Sequence, residues 1–326
     1  MSADGEAFFL VGGAGFIGSH LVDRLLGEQE SSRVTVFDDF SSGHRWHLAE
    51  HEGDSRLEVI EGDVRNLESL TNAMAGHEVV IHLASNPDIA LAATEPAVDF
   101  DLGTLLTHHV VEAARRTSAH RILYASGSGV YGDLGETEAD EDWGPLVPVS
   151  TYGASKLAGE ALVCSYSFMF GLTGASFRFG NVVGPRQTHG VGFDFVRKLL
   201  SDPTRLEILG DGTQSKSYIH VEDVIDAVVA AHRAEPDPYV VYNVATGDYV
   251  TVTEIADVVV ESMEIDPQSV RYEYTGGDRG WRGDVPVVRL NTDRIRGLGW
   301  SNRRSSREAI QASIVAMLDE LGAKRT

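Results

Sequence analysis

The apolar run Ala7–Gly12 leads straight into Gly12-Gly13-Ala14-Gly15-Phe16-Ile17-Gly18, and a helical pattern begins at once. Few folds accept glycines at this spacing between a strand and a helix. Gly12 permits a tight turn, Gly15 lets backbone approach a pyrophosphate, and Gly18 lets the helix pack closely on the sheet. Phe16 and Ile17 open that helix, whose unpaired N–H groups and positive dipole end suit phosphates. The strand-loop-helix context turns a weak glycine pattern into a dinucleotide-binding expectation.

The rest of the N-terminal half repeats the same grammar. Arg33–Phe37, Leu57–Glu61, Val79–Leu83, Arg121–Ser126 and Gly174–Phe179 are nearly continuous apolar runs, as strands buried on both faces require. Glu95–Thr117 and Thr151–Phe170 between them have helical length and spacing. Alternating β and α elements predict an α/β fold, a Rossmann-type doubly wound parallel sheet. After Asn181 the pattern loosens around the turns Gly184-Pro185-Arg186, Gly210-Asp211-Gly212 and Thr275-Gly276-Gly277. We therefore expect a cofactor domain over 1–180 and a smaller α/β substrate-binding region over 181–326. A segment near 214–246 should return to the main sheet, with Tyr218–Ala231 as one candidate.

Asp38 ends the second strand, 20 residues beyond Gly18. A carboxylate there accepts from adenosine ribose hydroxyls and repels the extra phosphate of NADP, so NAD is the expected cofactor. His44 and Arg45 nearby could soften that preference. Asp63 ends the third strand and could reach the adenine.

Tyr152 and Lys156 are four residues apart and share one face of the helix opening at Thr151. A phenol ionises near pH 10, and bringing it to about 7 needs about 4 kcal/mol of phenolate stabilisation. The Lys156 ammonium, with a positive nicotinamide ring, has the right sign. Tyr152 would then take a proton from a sugar hydroxyl while hydride leaves the same carbon, and Lys156 would also hold the nicotinamide ribose.

Composition narrows the partners. Asp and Glu number 49 against 27 Lys and Arg, a formal charge of −22, so polyanions are repelled and no nucleic acid partner is expected. The few lysines (Lys156, Lys198, Lys216, Lys324) and the acidic balance resemble salt-adapted proteins. No apolar run reaches membrane length, and no signal pattern opens the chain. Cys164 is the only cysteine, so no internal disulfide can form and a cytoplasmic setting is expected. His108 and His109 point to different helix faces, so no metal site is expected. Gly127-Ser128-Gly129 is too short for a Gly-x-Ser-x-Gly elbow, which leaves a hydrolase unsupported.

Together these residues resemble the extended short-chain dehydrogenase/reductase family, in its NAD-dependent epimerase/dehydratase group. The likeness runs through Gly12–Gly18, Asp38, Gly62-Asp63, His82-Leu83-Ala84, Val130-Tyr131-Gly132, Tyr152 and Lys156. It continues through Arg178-Phe179-Gly180-Asn181, Gly184-Pro185-Arg186, Gly210–Gln214, Tyr218–Val221 and Leu298-Gly299-Trp300. The resemblance implies an NAD-dependent nucleoside-diphosphate-sugar 4-epimerase of the UDP-glucose/UDP-galactose type, working through a transient 4-keto sugar. It adds Val64, Leu83 and Ala84 to the cofactor contacts. Asn181, Arg186, Lys216 and either Arg279 or Arg282 would hold the nucleotide diphosphate, and Asp284 the nucleotide ribose. It also implies a homodimer paired through Glu95–Thr117 and Thr151–Phe170, with an apolar stripe that includes Leu162, Tyr166 and Phe170.

Departures from the family matter as much. Relatives carry Ser or Thr where Gly127 stands, so Ser128, Ser126 or a water is expected to replace that relay hydroxyl. Strand alternation would turn Ser126 to the other face. In 4,6-dehydratases of the family Asp and Glu follow, and decarboxylating relatives also carry Glu there. Here the residues are Ser128 and Gly129, so the general acid for water loss is missing. Lys216 replaces an arginine and loses its bidentate fork. The alternatives are a dehydratase or decarboxylase of the same substrates, and a non-catalytic NAD-binding sensor.

Overall fold

A computed structural model describes residues 5–27, 31–86, 89–234 and 237–322, which leaves Lys324 outside the described residues. The chain divides into two compact units. One comprises Met1–Val130, Thr151–Arg178 and Val228–Tyr242; the other comprises Tyr131–Ser150, Phe179–Ala227 and Asn243–Thr326.

The first unit is built on a seven-stranded sheet. Its strands are β1 (Glu6–Val11), β2 (Ser31–Asp38), β3 (Leu57–Glu61), β4 (Val79–His82), β5 (Arg121–Gly127), Thr173–Phe179 and Tyr239–Val244. From one edge the order is β3, β2, β1, β4, β5, then Thr173–Phe179 and Tyr239–Val244. β1 pairs in parallel with β2 on one side and β4 on the other. The strand order therefore reverses between β1 and β4, and the crevice at their carboxyl ends is where such sheets bind ligands. Each strand expected from the apolar runs is present within a residue or two. The strand that returns to this sheet is Tyr239–Val244. Tyr218–His220 pairs instead with Asn181–Val183 in a small separate sheet, and Val221–Arg233 is a helix.

Helices α1 (Phe16–Gly27), α2 (Leu67–Met74), α3 (Leu105–Arg116) and α4 (Thr151–Phe170) belong to the first unit. The helical segment expected over Glu95–Thr117 is not one continuous α-helix, because Phe100–Thr104 is a π-helical turn before α3. A Cβ at Gly103 would lie 2.7 Å from Ser155 Oγ, so glycine lets this turn rest directly on α4. Phe9, Phe37, Leu70, Met74, Val110, Ile122, Tyr124 and Val163 fill the core around the sheet.

The second unit has its own core from Phe195, Leu199, Leu206, Ile208, Ile255, Val259, Ile310 and Ile314. Two of its helices, Val252–Ser262 and Ser306–Glu320, start with complete capping boxes, Thr251 with Glu254 and Ser305 with Glu308. Among the described residues, no helix is long and apolar enough to cross a membrane.

Candidate active site

Gly12 has φ +81°, and a Cβ there would lie 2.7 Å from the Ala84 backbone nitrogen, so both conformation and space demand glycine. A Cβ at Gly18 would fall 2.4 Å from the Gly12 carbonyl oxygen. Leu83 and Ala84 donate their N–H groups to the Val11 carbonyl, which fastens the end of β4 against this loop. Asp38 is 7% exposed at the end of β2. It accepts from Ala14 N at 2.9 Å and from Phe40 N at 2.9 Å. Burial raises its carboxyl above the ordinary value, although both backbone donors favour the charged form. A carboxylate with two N–H partners still has lone pairs for two hydroxyls. The glycine cradle and this carboxylate together fit the adenosine and pyrophosphate of NAD.

Asp38→Ala should weaken NAD binding roughly 10- to 100-fold, the value of hydrogen bonds to a charged acceptor, and erase discrimination against NADP. Calorimetric titration with both dinucleotides checks this; unchanged affinities would remove Asp38 from the cofactor site. The neighbouring positions are quieter. Asp63 sits in a half-exposed ion pair with Arg65 at 2.7 Å, and Val64 beside it is buried. Arg45 pairs with Glu61 and lies 4.3 Å over the Phe40 ring.

The start of α4 is heavily tied down. Buried Asp99 accepts from Thr151 Oγ1 at 2.7 Å and from Asn86 Nδ2 at 2.9 Å, which fixes the helix one residue before Tyr152. Two turns on, Glu160 accepts from Ser126 Oγ at 2.6 Å and forms a buried, bidentate pair with Arg178 at 3.0 and 2.8 Å. These contacts set the rotation of α4, hence the direction in which Tyr152 and Lys156 point.

Lys156 is 3% exposed and donates to the Ala125 carbonyl at 2.8 Å. Its ammonium lies 5.5 Å from the Tyr152 ring centre and 5.4 Å from that of Tyr124. Burial lowers its pKa to about 8, against the carboxylates of Asp99 and Glu160, which favour the charge. His82, fully enclosed, is pushed down to about 3 by burial and then by the Lys156 charge, so it stays neutral. Burial pushes the Tyr152 phenol up to about 12, while a hydrogen bond with the Ser85 side chain acts the other way. The protein groups alone therefore do not draw this phenol toward neutrality, because desolvation outweighs the Ser85 hydrogen bond and the Asp99 charge adds to it.

Of the serines expected beside Gly127, Ser126 points into the Glu160–Arg178 pair, the other face that strand alternation implies. Ser128 is half-buried at the start of a 3-10 turn, Ser128–Tyr131. The sequence reading missed Ser85, Asn86 and Asp99. No motif marks them, since Ser85 and Asn86 lie in the loop after β4, Asp99 lies in the helical turn before Phe100, and they meet Thr151 and Tyr152 only in the fold.

In the second unit, Lys216 donates to Asp284 Oδ1 at 2.7 Å, and Asp284 is 4% exposed. Gly280 N donates to Asp284 Oδ2 at 3.1 Å. Arg279 donates to the Asp284 carbonyl at 2.8 Å and to Asp133 at 2.6 Å. Lys216 also lies 5.3 Å over the Trp281 ring. The structure thus gathers Lys216, Arg279 and Asp284 into one charged cluster, while Arg282 is exposed. Lys216 and Asp284, expected to hold different parts of a nucleotide, are partners of each other here. Asn181 is half-buried and opens its short strand, with its N–H on the Ser217 carbonyl at 3.0 Å. Arg186 takes a left-handed φ of 64°, and its N–H donates to Glu320 at 2.8 Å.

Residues 8–245 match the model of the NAD dependent epimerase/dehydratase family. A UDP-glucose 4-epimerase of Mycolicibacterium smegmatis is 31% identical over 94% of this chain and 96% of its own. A dTDP-glucose 4,6-dehydratase of Actinoplanes is also 31% identical, over 86% of this chain and 89% of its own. Among solved structures, a UDP-galactose 4-epimerase superposes with a TM-score of 0.84 at 34% identity, covering 97% of this chain and 99% of that one.

Proposed function

The chain belongs to the NAD-dependent epimerase/dehydratase family, and from that premise we propose that it is a nucleoside-diphosphate-sugar 4-epimerase of the UDP-glucose/UDP-galactose type. One observation carries the choice of reaction. β5 ends at Gly127 and continues as Ser128-Gly129, so no carboxylic acid stands at the positions that would protonate a leaving hydroxyl.

In this reading Tyr152 takes the proton of the sugar C4 hydroxyl and later returns it. NAD, when bound, supplies the ring that accepts hydride from C4 and gives it back. Lys156 keeps a positive charge beside the phenol, and Asp99 with Asn86 and Thr151 holds the helix that carries both. Ser128 is the hydroxyl next to the Gly127 gap. Gly12, Gly15, Phe16, Ile17, Gly18, Asp38, Asp63, Val64, Leu83 and Ala84 form the NAD site. Asn181, Arg186, Lys216, Arg279, Arg282 and Asp284 anchor the nucleotide, so that the 4-keto sugar alone turns over before it is reduced. The sugar-nucleotide specificity of the relatives, both epimerases and a dehydratase, supports the substrate class. Incubation with a panel of UDP-, GDP- and dTDP-sugars, read by NMR, tests the proposal. A C4-inverted sugar nucleotide supports it; an unsaturated, keto or pentose product, or bound NAD with no turnover, overturns it.

The same family reading predicts a homodimer through α3 and α4. Phe168, Met169 and Phe170 at the end of α4 are 69%, 72% and 47% exposed, an apolar edge that water disfavours. Gel filtration with light scattering at low and high salt should give twice the chain mass of 35.3 kDa. A monomer under both conditions would contradict the pairing.

A further inference from the structure

The side-chain hydroxyl that meets the Tyr152 phenol comes from Ser85, in the loop after β4. Three lines of geometry fix where Ser85 stands. The last ladder pair of β4 and β5 is His82 opposite Tyr124, and three residues beyond each stand Ser85, in the loop after β4, and Gly127, at the end of β5. On the β5 side there is no side chain: a Cβ built at Gly127 has nothing within 4 Å. On the β4 side the chain is held by the Leu83 and Ala84 N–H bonds to Val11, and by Asn86, whose amide is bound to buried Asp99. Ser85 lies between these two anchors and is half-buried.

We infer that Ser85 is the positioning residue of Tyr152, orienting the phenol and donating its O–H to the phenolate when the proton leaves. The role rests on Tyr152 being the base proposed above. The other groups facing the phenol are Lys156 on α4, whose charge favours the phenolate, Asp99 ahead of the π turn, whose charge opposes it, and Tyr124 on β5. Among these, Ser85 is the short neutral donor, and a hydrogen bond to the charged form favours that form. Loss of the donor therefore disfavours ionisation of Tyr152.

The test is Ser85→Ala, with Ser85→Thr as the conservative variant. Ser85→Ala should shift the acid limb of the kcat/KM profile upward by about one to two pH units, and lower turnover at neutral pH roughly 10- to 100-fold. Ultraviolet difference titration of NAD-loaded protein, with Tyr152→Phe as the blank, should show the same upward shift of the phenol. Ser85→Thr should restore both, since it keeps the hydroxyl. Adding Gly127→Ser to Ser85→Ala should recover part of the loss, because the space at Gly127 accepts a side chain. An unchanged pH profile and titration in Ser85→Ala, a loss of activity seen only as lowered stability or raised KM, or the same pH shift in Ser128→Ala in place of Ser85→Ala would overturn the inference. If Tyr152→Phe itself turns over normally, the proposed function fails instead, and the two failures are separable.

Discussion

Tyr152→Phe lowers kcat by roughly 10²- to 10⁴-fold, the range that a positioned acid–base group contributes, and leaves the fold and NAD affinity intact. The substitution removes one oxygen and keeps the ring that lies beside the Lys156 ammonium. The phenol is half-buried and shares a hydrogen bond with the Ser85 side chain, so the substitution forfeits about one hydrogen bond of stability. Circular dichroism and dinucleotide titration should match the wild type while product formation collapses. A variant that loses NAD binding along with activity would mean that Tyr152 shapes the cofactor site and does not serve as the base.

The second large effect is expected at Lys156, in two readouts. A unit charge about 5.5 Å from the phenol contributes about 3 kcal/mol at an effective dielectric near 20, so Lys156→Met should lower kcat roughly hundredfold. Stability should respond to pH in the opposite sense to a salt-bridged surface lysine. The folded pKa of about 8 lies below the ordinary value of 10.5. Between these pH values the unfolded chain binds more protons than the folded one, so folding becomes more favourable as pH rises. From pH 8 to 10.5 the wild type should gain about 3 kcal/mol of unfolding free energy relative to Lys156→Met, since each pH unit of pKa difference is about 1.4 kcal/mol. Urea titrations of both proteins at the two ends of the window measure this. Parallel stability curves would show that Lys156 is not penalised by burial.

The expense at Lys156 explains the construction around α4. A buried ammonium 2.8 Å from a carbonyl, with the carboxylates of Asp99 and Glu160 nearby, persists only because the helix is locked in rotation. Glu160, Arg178 and Ser126 supply that lock from the sheet side, and Asp99, Asn86 and Thr151 supply it at the helix start. Functional sites commonly combine such costly groups with a rigid frame.

Much of the first unit is legible in the sequence. Its inner strands β1, β2, β4 and β5 are buried on both faces, so apolar content alone marks them, whereas the edge strand β3 is half-buried to exposed along its length, short of the two-face burial its apolar run predicts. The glycines of the loop are dictated by local sterics at Gly12 and Gly18. The π turn at Phe100–Thr104 was not legible, because its cause is the approach of Gly103 to Ser155 on a helix some fifty residues later in the chain. The returning strand Tyr239–Val244 lies within the expected 214–246 segment, but the candidate Tyr218–Ala231, an equally apolar pattern, is a short strand and a helix instead. Among site residues, Tyr152 and Lys156 are visible by their helical spacing. Ser85 and Asp99 are not, since a lone serine in a loop or a lone aspartate at the start of a helical turn carries no periodic signal. The pairing of Lys216 with Asp284 escaped for the same reason, being set by contacts between segments 68 residues apart.

Deuterium at C4 of a UDP-hexose gives the most direct test of reversible oxidation at that carbon. When the NAD-loaded protein acts on UDP-galactose labelled in this way, the label should reappear at C4 of the inverted sugar, undiluted by solvent hydrogen. Label found at C6 of a keto product, or lost to water, would contradict a hydride borrowed and returned at one carbon beside Tyr152.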